Sequence, residues 1–298
     1  MQVGYIGLGK MGFNMVERLL EKGHQVVAFD RDKAAADAIA EKGAQSSGSL
    51  TALVGSLTAP RVVWLMVPHQ AVDAVLRDLT PLLGKGDAVI DGGNSPYKES
   101  MRRASELETK GIDFLDAGVS GGPSGARSGA CVMVGGRKDI FKRFEIIFRD
   151  ISVTGGYAYM GKAGSGHFVK MVHNGIEYGM MQALAEGFSV MNASDFKLDL
   201  AMIADLYNHR SVIESRLVDW LKKAYDQYGR ELSSVSGSAA QSGEGMWTVD
   251  AAKELGVAVP VIEGSLEFRL QSQKNPSYTG RIISALRNQF GGHEVRKK

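Results

Sequence analysis

The chain has 298 residues, 44% of them hydrophobic, enough for about two domains of roughly 150 residues, each with its own core. Charged residues make up 23% and the net charge is only +2, which excludes a nucleic-acid stripe or an acidic tail, so any anionic partner must be caught by local residues. A single cysteine, Cys131, excludes an internal disulfide and a cysteine-built metal site, and no apolar run approaches the roughly 18 residues of a membrane span, so with no signal peptide in "MQVGYIGLG" a cytoplasmic protein is expected.

In chain order, the apolar runs "VGYIGL", "QVVAFD", "VVWLMVP", "AVIDGG", "DFLDAGVSGG" and "ACVMVGG" predict strands, and stretches such as 11–22, 33–42, 70–83 and 97–109 between them predict helices. This alternation is that of a Rossmann-type, doubly wound α/β domain with a mainly parallel sheet, expected over residues 1–163. Cys131 lies in "ACVMVGG" and is expected in the core, a poor place for a nucleophile. After a last strand candidate, "VTGGYAYMG", the pattern turns helical, with breaks at "NASDFKL", "SVSGSAAQSGEG", "VAVP" and "KNPSYTG". An all-helical second domain is therefore expected over residues 164–298, opened by a long helix from roughly Ser165 to Met191 near the domain junction, where ligand sites concentrate. The polar, glycine-rich stretch "SSVSGSAAQSGEG" reads as a loop able to cover a ligand.

The first strand runs into Gly7, Gly9 and Gly12 in the G-x-G-x-x-G pattern. The first glycine permits a tight turn, the second lets the backbone approach a pyrophosphate, and the third lets helix and strand pack closely. The helix that follows offers its orphan N–H groups to phosphates. Alone the pattern is weak, but here it opens a βαβ unit, and the second strand ends in Asp30, 18 residues past Gly12. A carboxylate there binds a ribose 2′-hydroxyl and repels a 2′-phosphate, so NAD is expected over NADP. Arg31 could stack on the adenine or pair with a 2′-phosphate. The plainer reading of Asp30 is a turn or helix-entry residue, with Asp32 able to cap the next helix.

Two further loops follow strands: "DGGNSPYKES" with Asn94, and "DAGVSGGPSGARSG" with Ser120, Gly121 and Gly122. Loops at the carboxyl ends of parallel strands are where such sheets bind ligands. In the long helix, "GHFVKMVHNGIEYGMMQ" carries Lys170, His173, Asn174 and Glu177. At about 100° per residue, Lys170 and Glu177 share one face with His173 and Asn174 between them, about 10 Å apart along the axis. A base and an acid there could act on opposite sides of one carbon skeleton, provided that the lysine is neutral when it accepts a proton, which burial and nearby positive charge can arrange. The plainer reading is exposed helix charges and a satisfied core histidine.

Together, "GLGKMG", "DGGNS", "VSGGPSGARSG" and "KMVHNGIEYG" resemble the decarboxylating 6-phosphogluconate dehydrogenases, within the β-hydroxyacid dehydrogenase superfamily, over nearly the whole chain. The length is similar to that of the short form, which lacks the second helical half of the long enzymes. The resemblance implies oxidation of 6-phosphogluconate to ribulose 5-phosphate and carbon dioxide by a nicotinamide cofactor, without a metal. It implies Lys170 as the general base and Glu177 as the acid that protonates C1. Asn94, Ser120, Gly121, Gly122, His173 and Asn174 would hold the hydroxyls and carboxylate, and Tyr178 and Arg269 the phosphate. Gly7, Leu8, Gly9, Lys10, Met11, Gly12, Asp30, Arg31, Val67 and Asn94 would face the cofactor. In "RNQFGGH", Arg287 and His293 would reach into a neighbouring subunit's site, so a homo-oligomer, dimer or tetramer, is implied. Two departures stand out. Met246 occupies a position where the family commonly has lysine, and Asp30, Arg31 and Asp32 replace the Asn-Arg-Thr of NADP-dependent relatives, which again favours NAD. A 3-hydroxyisobutyrate dehydrogenase-like enzyme would share the glycine loop, "SGG" and Lys170, but usually carries an asparagine pair after the lysine. A non-catalytic NAD sensor would share only the fold and the cofactor.

Overall fold

Strand side chains alternate between two faces, and here both faces are covered, which is why the strand runs are almost continuously apolar. The computed structural model describes residues 1–295, and its contacts divide the chain into Met1–Met171 and Val172–Lys298. The first unit holds strands β1 (Gln2–Ile6), β2 (Gln25–Phe29), β3 (Gln45–Ser46), β4 (Val62–Leu65), β5 (Ala88–Asp91), β6 (Asp113–Ser120), β7 (Ala130–Gly136) and β8 (Ser152–Gly161). They form one sheet in the order β3-β2-β1-β4-β5-β6-β7-β8, parallel throughout except for the antiparallel pair β6–β7. Between them run α1 (Lys10–Glu21), α2 (Lys33–Ala40), α3 (Leu50–Gly55), α4 (His69–Leu79), α5 (Tyr97–Glu108), α6 (Gly122–Ser128) and α7 (Lys138–Ile151). The order reverses between β1 and β4, the topological switch point at which such sheets bind dinucleotides.

Tyr5, Ala28, Trp64 and Ile90 face one core, where they meet Met15 and Leu19 of α1 and Phe144 and Phe148 of α7. Ile6, Val27, Leu65 and Val89 face the other, against Leu53, Val72 and Leu107 of α3, α4 and α5. The doubly wound domain expected from the alternating runs is thus present. The two-residue β3 and the six-residue α3 are too short for a periodic signal, and α6 lies inside what reads as a glycine loop. Cys131 is a correction: it is exposed, not core. Ala130 and Val132 point into the core, so Cys131 faces the other side of β7, opposite Ser120 at the end of the β6–β7 ladder.

Helix α8 (Ser165–Ala193) begins in the first unit and continues as the first element of the second, followed by α9 (Leu200–Tyr207), α10 (Arg216–Tyr228), α11 (Glu244–Glu254), α12 (Pro260–Ser272) and α13 (Tyr278–Gly291). The side chains of Asp199, Ser215 and Ser277 cap α9, α10 and α13 by accepting backbone N–H bonds in the first turn. The second unit packs around Phe188, Val218, Leu221, Ile282 and Leu286. Among the described residues no helix is long and apolar enough to cross a membrane.

Candidate active site

Gly7 and Leu8 turn the chain from β1 into Gly9, the residue before α1. Gly7 has φ +102°, and a Cβ there would collide with the Met66 carbonyl. A Cβ on Gly12 would collide with the Gly7 carbonyl, so α1 rides directly on the loop. Gly9 differs: a Cβ there would meet nothing within 4 Å. The start of α1 also has no side-chain cap and no acidic residue in its first turn. Two glycines therefore serve close packing, and the third leaves a bare backbone beside uncapped N–H groups, a surface that fits a pyrophosphate.

Asp30 ties this loop to the end of β2. Its Oδ2 accepts the Leu8 N–H at 2.6 Å and its Oδ1 the Asp32 N–H at 2.8 Å. Asp32 caps α2 through the Ala34 N–H, so capping falls to Asp32 and leaves Asp30 beside the glycine loop. Val67, just past β4, is in contact range of Gly7. Lys10 and Arg31 are exposed, Met11 is half-buried and Leu8 is buried.

Asn94 is exposed on the loop after β5, with one carboxylate fixing its two neighbours. Asp91 is fully buried; its Oδ1 accepts the Gly93 N–H at 3.1 Å and its Oδ2 the Ser95 hydroxyl at 2.7 Å. The buried Arg103 guanidinium donates to Ser95 Oγ at 3.1 Å and to Asp73 at 2.8 Å, and this bond is the main cause that holds Asp73 down at about 2. Asp91, Ser95 and Arg103 were not legible as a unit, since α5 brings the arginine to the loop. A Cβ on Gly93 would stand 2.7 Å from the Val67 carbonyl oxygen, so the Asn94 loop and the Val67 turn are neighbours.

Ser120 ends β6, and Gly121 and Gly122 take φ values of +130° and +62° to enter α6. Lys170, on α8, is only 7% exposed. The start of its helix is bound to the sheet: Asp116 of β6 accepts the Gly164 and His167 N–H groups at 2.7 and 2.8 Å. The His167 ring in turn bonds the Ser100 hydroxyl at 2.7 Å.

In the second unit, His173 Nδ1 lies 3.0 Å from Asn174 Oδ1 and 3.9 Å from a Glu177 carboxylate oxygen. Tyr178 is buried, and its hydroxyl accepts the Ser242 N–H at 3.2 Å. The Arg269 guanidinium stacks 3.4 Å from the centre of the Tyr178 ring, and its Nε has no partner among the described residues. Burial pushes the Arg269 guanidinium down to about 10, with the Arg287 charge adding to the effect. That is an electrostatic burden of about 3 kcal/mol at neutral pH, where the guanidinium is charged both folded and unfolded; it starts to ease as pH rises through the folded value and is gone only above the unfolded one. Arg287 is buried too and is lowered by desolvation, against the opposing influence of Tyr178, Glu244 and Glu177.

Arg287 lies within electrostatic reach of Tyr178, Glu244 and Glu177 of its own chain. His293 is exposed past α13, edge-on to Phe290 at 6.2 Å. Met246 is 42% exposed on α11. Glu244, buried at the start of α11 and near Arg287, was missed in the sequence; its only signal is the "GEG" before the helix. Among the described residues no group of three or more His, Cys, Asp or Glu could hold a metal ion.

A family model described as the NAD binding domain of 6-phosphogluconate dehydrogenase matches residues 2–163, and one described as the 6-phosphogluconate dehydrogenase C-terminal domain matches residues 166–281. YqeC of Bacillus subtilis (strain 168) is 49% identical over 298 residues, 100% of both chains. The NAD(+)-dependent, decarboxylating 6-phosphogluconate dehydrogenase of Haloferax volcanii is 44% identical over 301 residues, covering 100% of this chain and 99% of that one. The solved structure of Plasmodium falciparum 6-phosphogluconate dehydrogenase superposes with a TM-score of 0.82 at 29% identity, over 92% of this chain and 62% of its own. With both halves matched by that family's models, and with full-length relatives of this size, the chain belongs to the 6-phosphogluconate dehydrogenase family.

Proposed function

We propose that this chain oxidises and decarboxylates 6-phosphogluconate to ribulose 5-phosphate, using NAD. The observation that carries the reading is the pair of buried arginines, Arg269 and Arg287, with Arg269 stacked on Tyr178 and its Nε without a hydrogen-bond partner among the described residues. Two guanidiniums suit a phosphate dianion, and an enzyme for an unphosphorylated hydroxyacid has no use for them. When bound, the nicotinamide supplies the hydride acceptor. Lys170 takes the proton of the 3-hydroxyl as hydride leaves C3, and the β-keto acid so formed loses carbon dioxide. Glu177 then protonates C1 of the enediol, giving the ketose. Asn94, Ser120, Gly121, Gly122, His173 and Asn174 orient the sugar acid. Gly7, Leu8, Gly9, Lys10, Met11, Gly12, Asp30, Arg31, Val67 and Asn94 form the cofactor surface. Support for NAD comes from Asp30 beside the glycine loop and from the NAD(+)-dependent Haloferax relative.

Absorbance near about 340 nm, the standard nicotinamide readout, with 6-phosphogluconate and each cofactor, together with carbon dioxide release, tests the reading. Turnover of 3-hydroxyisobutyrate with none of 6-phosphogluconate would overturn it, and preference for NADP would overturn the role given to Asp30. Replacing Arg287 by alanine should raise KM for 6-phosphogluconate about 10- to 100-fold, the worth of one charged hydrogen bond, while unphosphorylated gluconate stays poor with both proteins. An unchanged KM would remove Arg287 from the site. The same reading puts the enzyme in the cytoplasm, which fits a chain with a single cysteine. It also makes the protein a homo-oligomer, as exposed Val190, Met202 and Leu206 of the second unit suit a protein-covered surface, and light scattering from a monomer would refute that.

A further inference from the structure

Strand β6 carries no side chain at Gly118, against which the stem of Lys170 lies. A Cβ at Gly118 would overlap the Lys170 Cβ and stand 2.9 Å from its Cγ and 3.0 Å from the Gly166 carbonyl oxygen. These atoms belong to the root of the lysine and to the α8 backbone, so they cannot swing aside as the tip of a flexible chain would. Gly118 needs no unusual backbone freedom, since it sits in regular antiparallel pairing with Met133 and is absent from the positive-φ glycines. Space alone accounts for the glycine.

The surrounding contacts leave the helix little room to retreat. A Cβ on Gly135 of β7 would stand 2.6 Å from Asp116 Oδ1 and 2.7 Å from the Gly166 N, and one on Gly166 would stand 2.6 Å from the Asp116 carbonyl oxygen. Asp116 meanwhile holds the first turn of α8 through the Gly164 and His167 N–H groups. Glycine meets glycine on both sides, so the helix backbone rests on the sheet backbone and the depth of Lys170 follows from that contact.

We propose that Gly118 is a positioning residue for Lys170, its missing side chain setting how deeply the lysine stem seats against β6. The proposal rests on the reading of Lys170 as the general base. A methyl group at residue 118 pushes the Lys170 Cα and its helix turn outward, and a misplacement on the order of 1 Å costs about 100-fold in a reaction that depends on alignment.

Gly118→Ala should therefore lower kcat for 6-phosphogluconate about 100-fold, while KM and the NAD dissociation constant, measured by fluorescence titration, change less than about threefold. With substrate deuterated at C3, the isotope effect on kcat should rise, because a misplaced base makes oxidation the slow step; a loss of stability alone would leave it unchanged. Normal kcat in a folded Gly118→Ala protein, with Lys170→Met inactive, would overturn the proposal and leave the base assignment standing. Activity retained in Lys170→Met would instead overturn the base assignment. If Gly118→Ala does not fold, the double variant Gly118→Ala/Lys170→Gly, in which the new methyl takes the space of the lysine Cβ, should fold and bind NAD. A double variant that stays unfolded would locate the damage outside the Lys170 contact and sink the proposal.

Discussion

Replacing Lys170 by methionine should abolish reduction of NAD by 6-phosphogluconate while leaving a folded protein that still binds NAD. The lysine is 7% exposed, and methionine has an unbranched stem of similar length and similar helix propensity, so the packing against β6 is kept. Only the amine is lost. A positioned general base contributes typically 10²- to 10⁴-fold, and in the proposed reaction the 3-hydroxyl proton goes to the Lys170 amine. Reduced-cofactor formation and NAD binding by fluorescence titration measure the two halves of this expectation separately. Near-normal turnover in the folded variant would mean that this face of α8 is structural.

The second large effect is expected at Glu177, two helical turns further along α8. Glu177→Ala should slow steady-state turnover by about 10²- to 10⁴-fold, yet allow one fast round of oxidation per site, seen in stopped flow as a burst of reduced cofactor. The step proposed for it follows the loss of carbon dioxide, so on that reading the hydride has already moved when the acid is missed. Glu177 also helps to keep Arg269 and Arg287 charged through its own negative charge. Removing that carboxylate takes a repulsive charge away from an incoming phosphate, so KM should stay level or fall, and the loss should sit in kcat. A slow variant with no burst would assign Glu177 to oxidation instead, and a normal rate would remove it from the chemistry.

Much of the fold was legible because its signals are local. The short, continuous apolar runs of β1, β2, β4 and β5 and the glycine pattern between β1 and α1 each lie within a few residues of sequence. Asp32 likewise caps the helix it precedes. The reading failed where a residue's environment is set from a distance. Cys131 sits in an apolar run, but its exposure depends on which side of β7 it faces, and the run alone does not say. The fixing of the Asn94 loop needs Arg103 from α5, and the anchoring of α8 needs Asp116 from the middle of β6, a carboxylate that reads from the sequence as an interruption in a strand. Of the candidate site, the residue types and their helical phase could be read along the chain, whereas the stacking of Arg269 on Tyr178 joins residues on two helices far apart in sequence.

The continuity of α8 from Ser165 to Ala193 also constrains how the gene can drift. Because Lys170 and Glu177 share one unbroken hydrogen-bonded rod, inserting or deleting a single codon between them would rotate one group about 100° around the axis relative to the other. Substitutions in this stretch keep the angular phase, and length changes destroy it. The exposed turn between α11 and α12 is under no such rule, because added residues there lengthen a connection without turning a rod. The coding sequence for the seven-residue interval in α8 therefore cannot change its count of codons without parting the two groups.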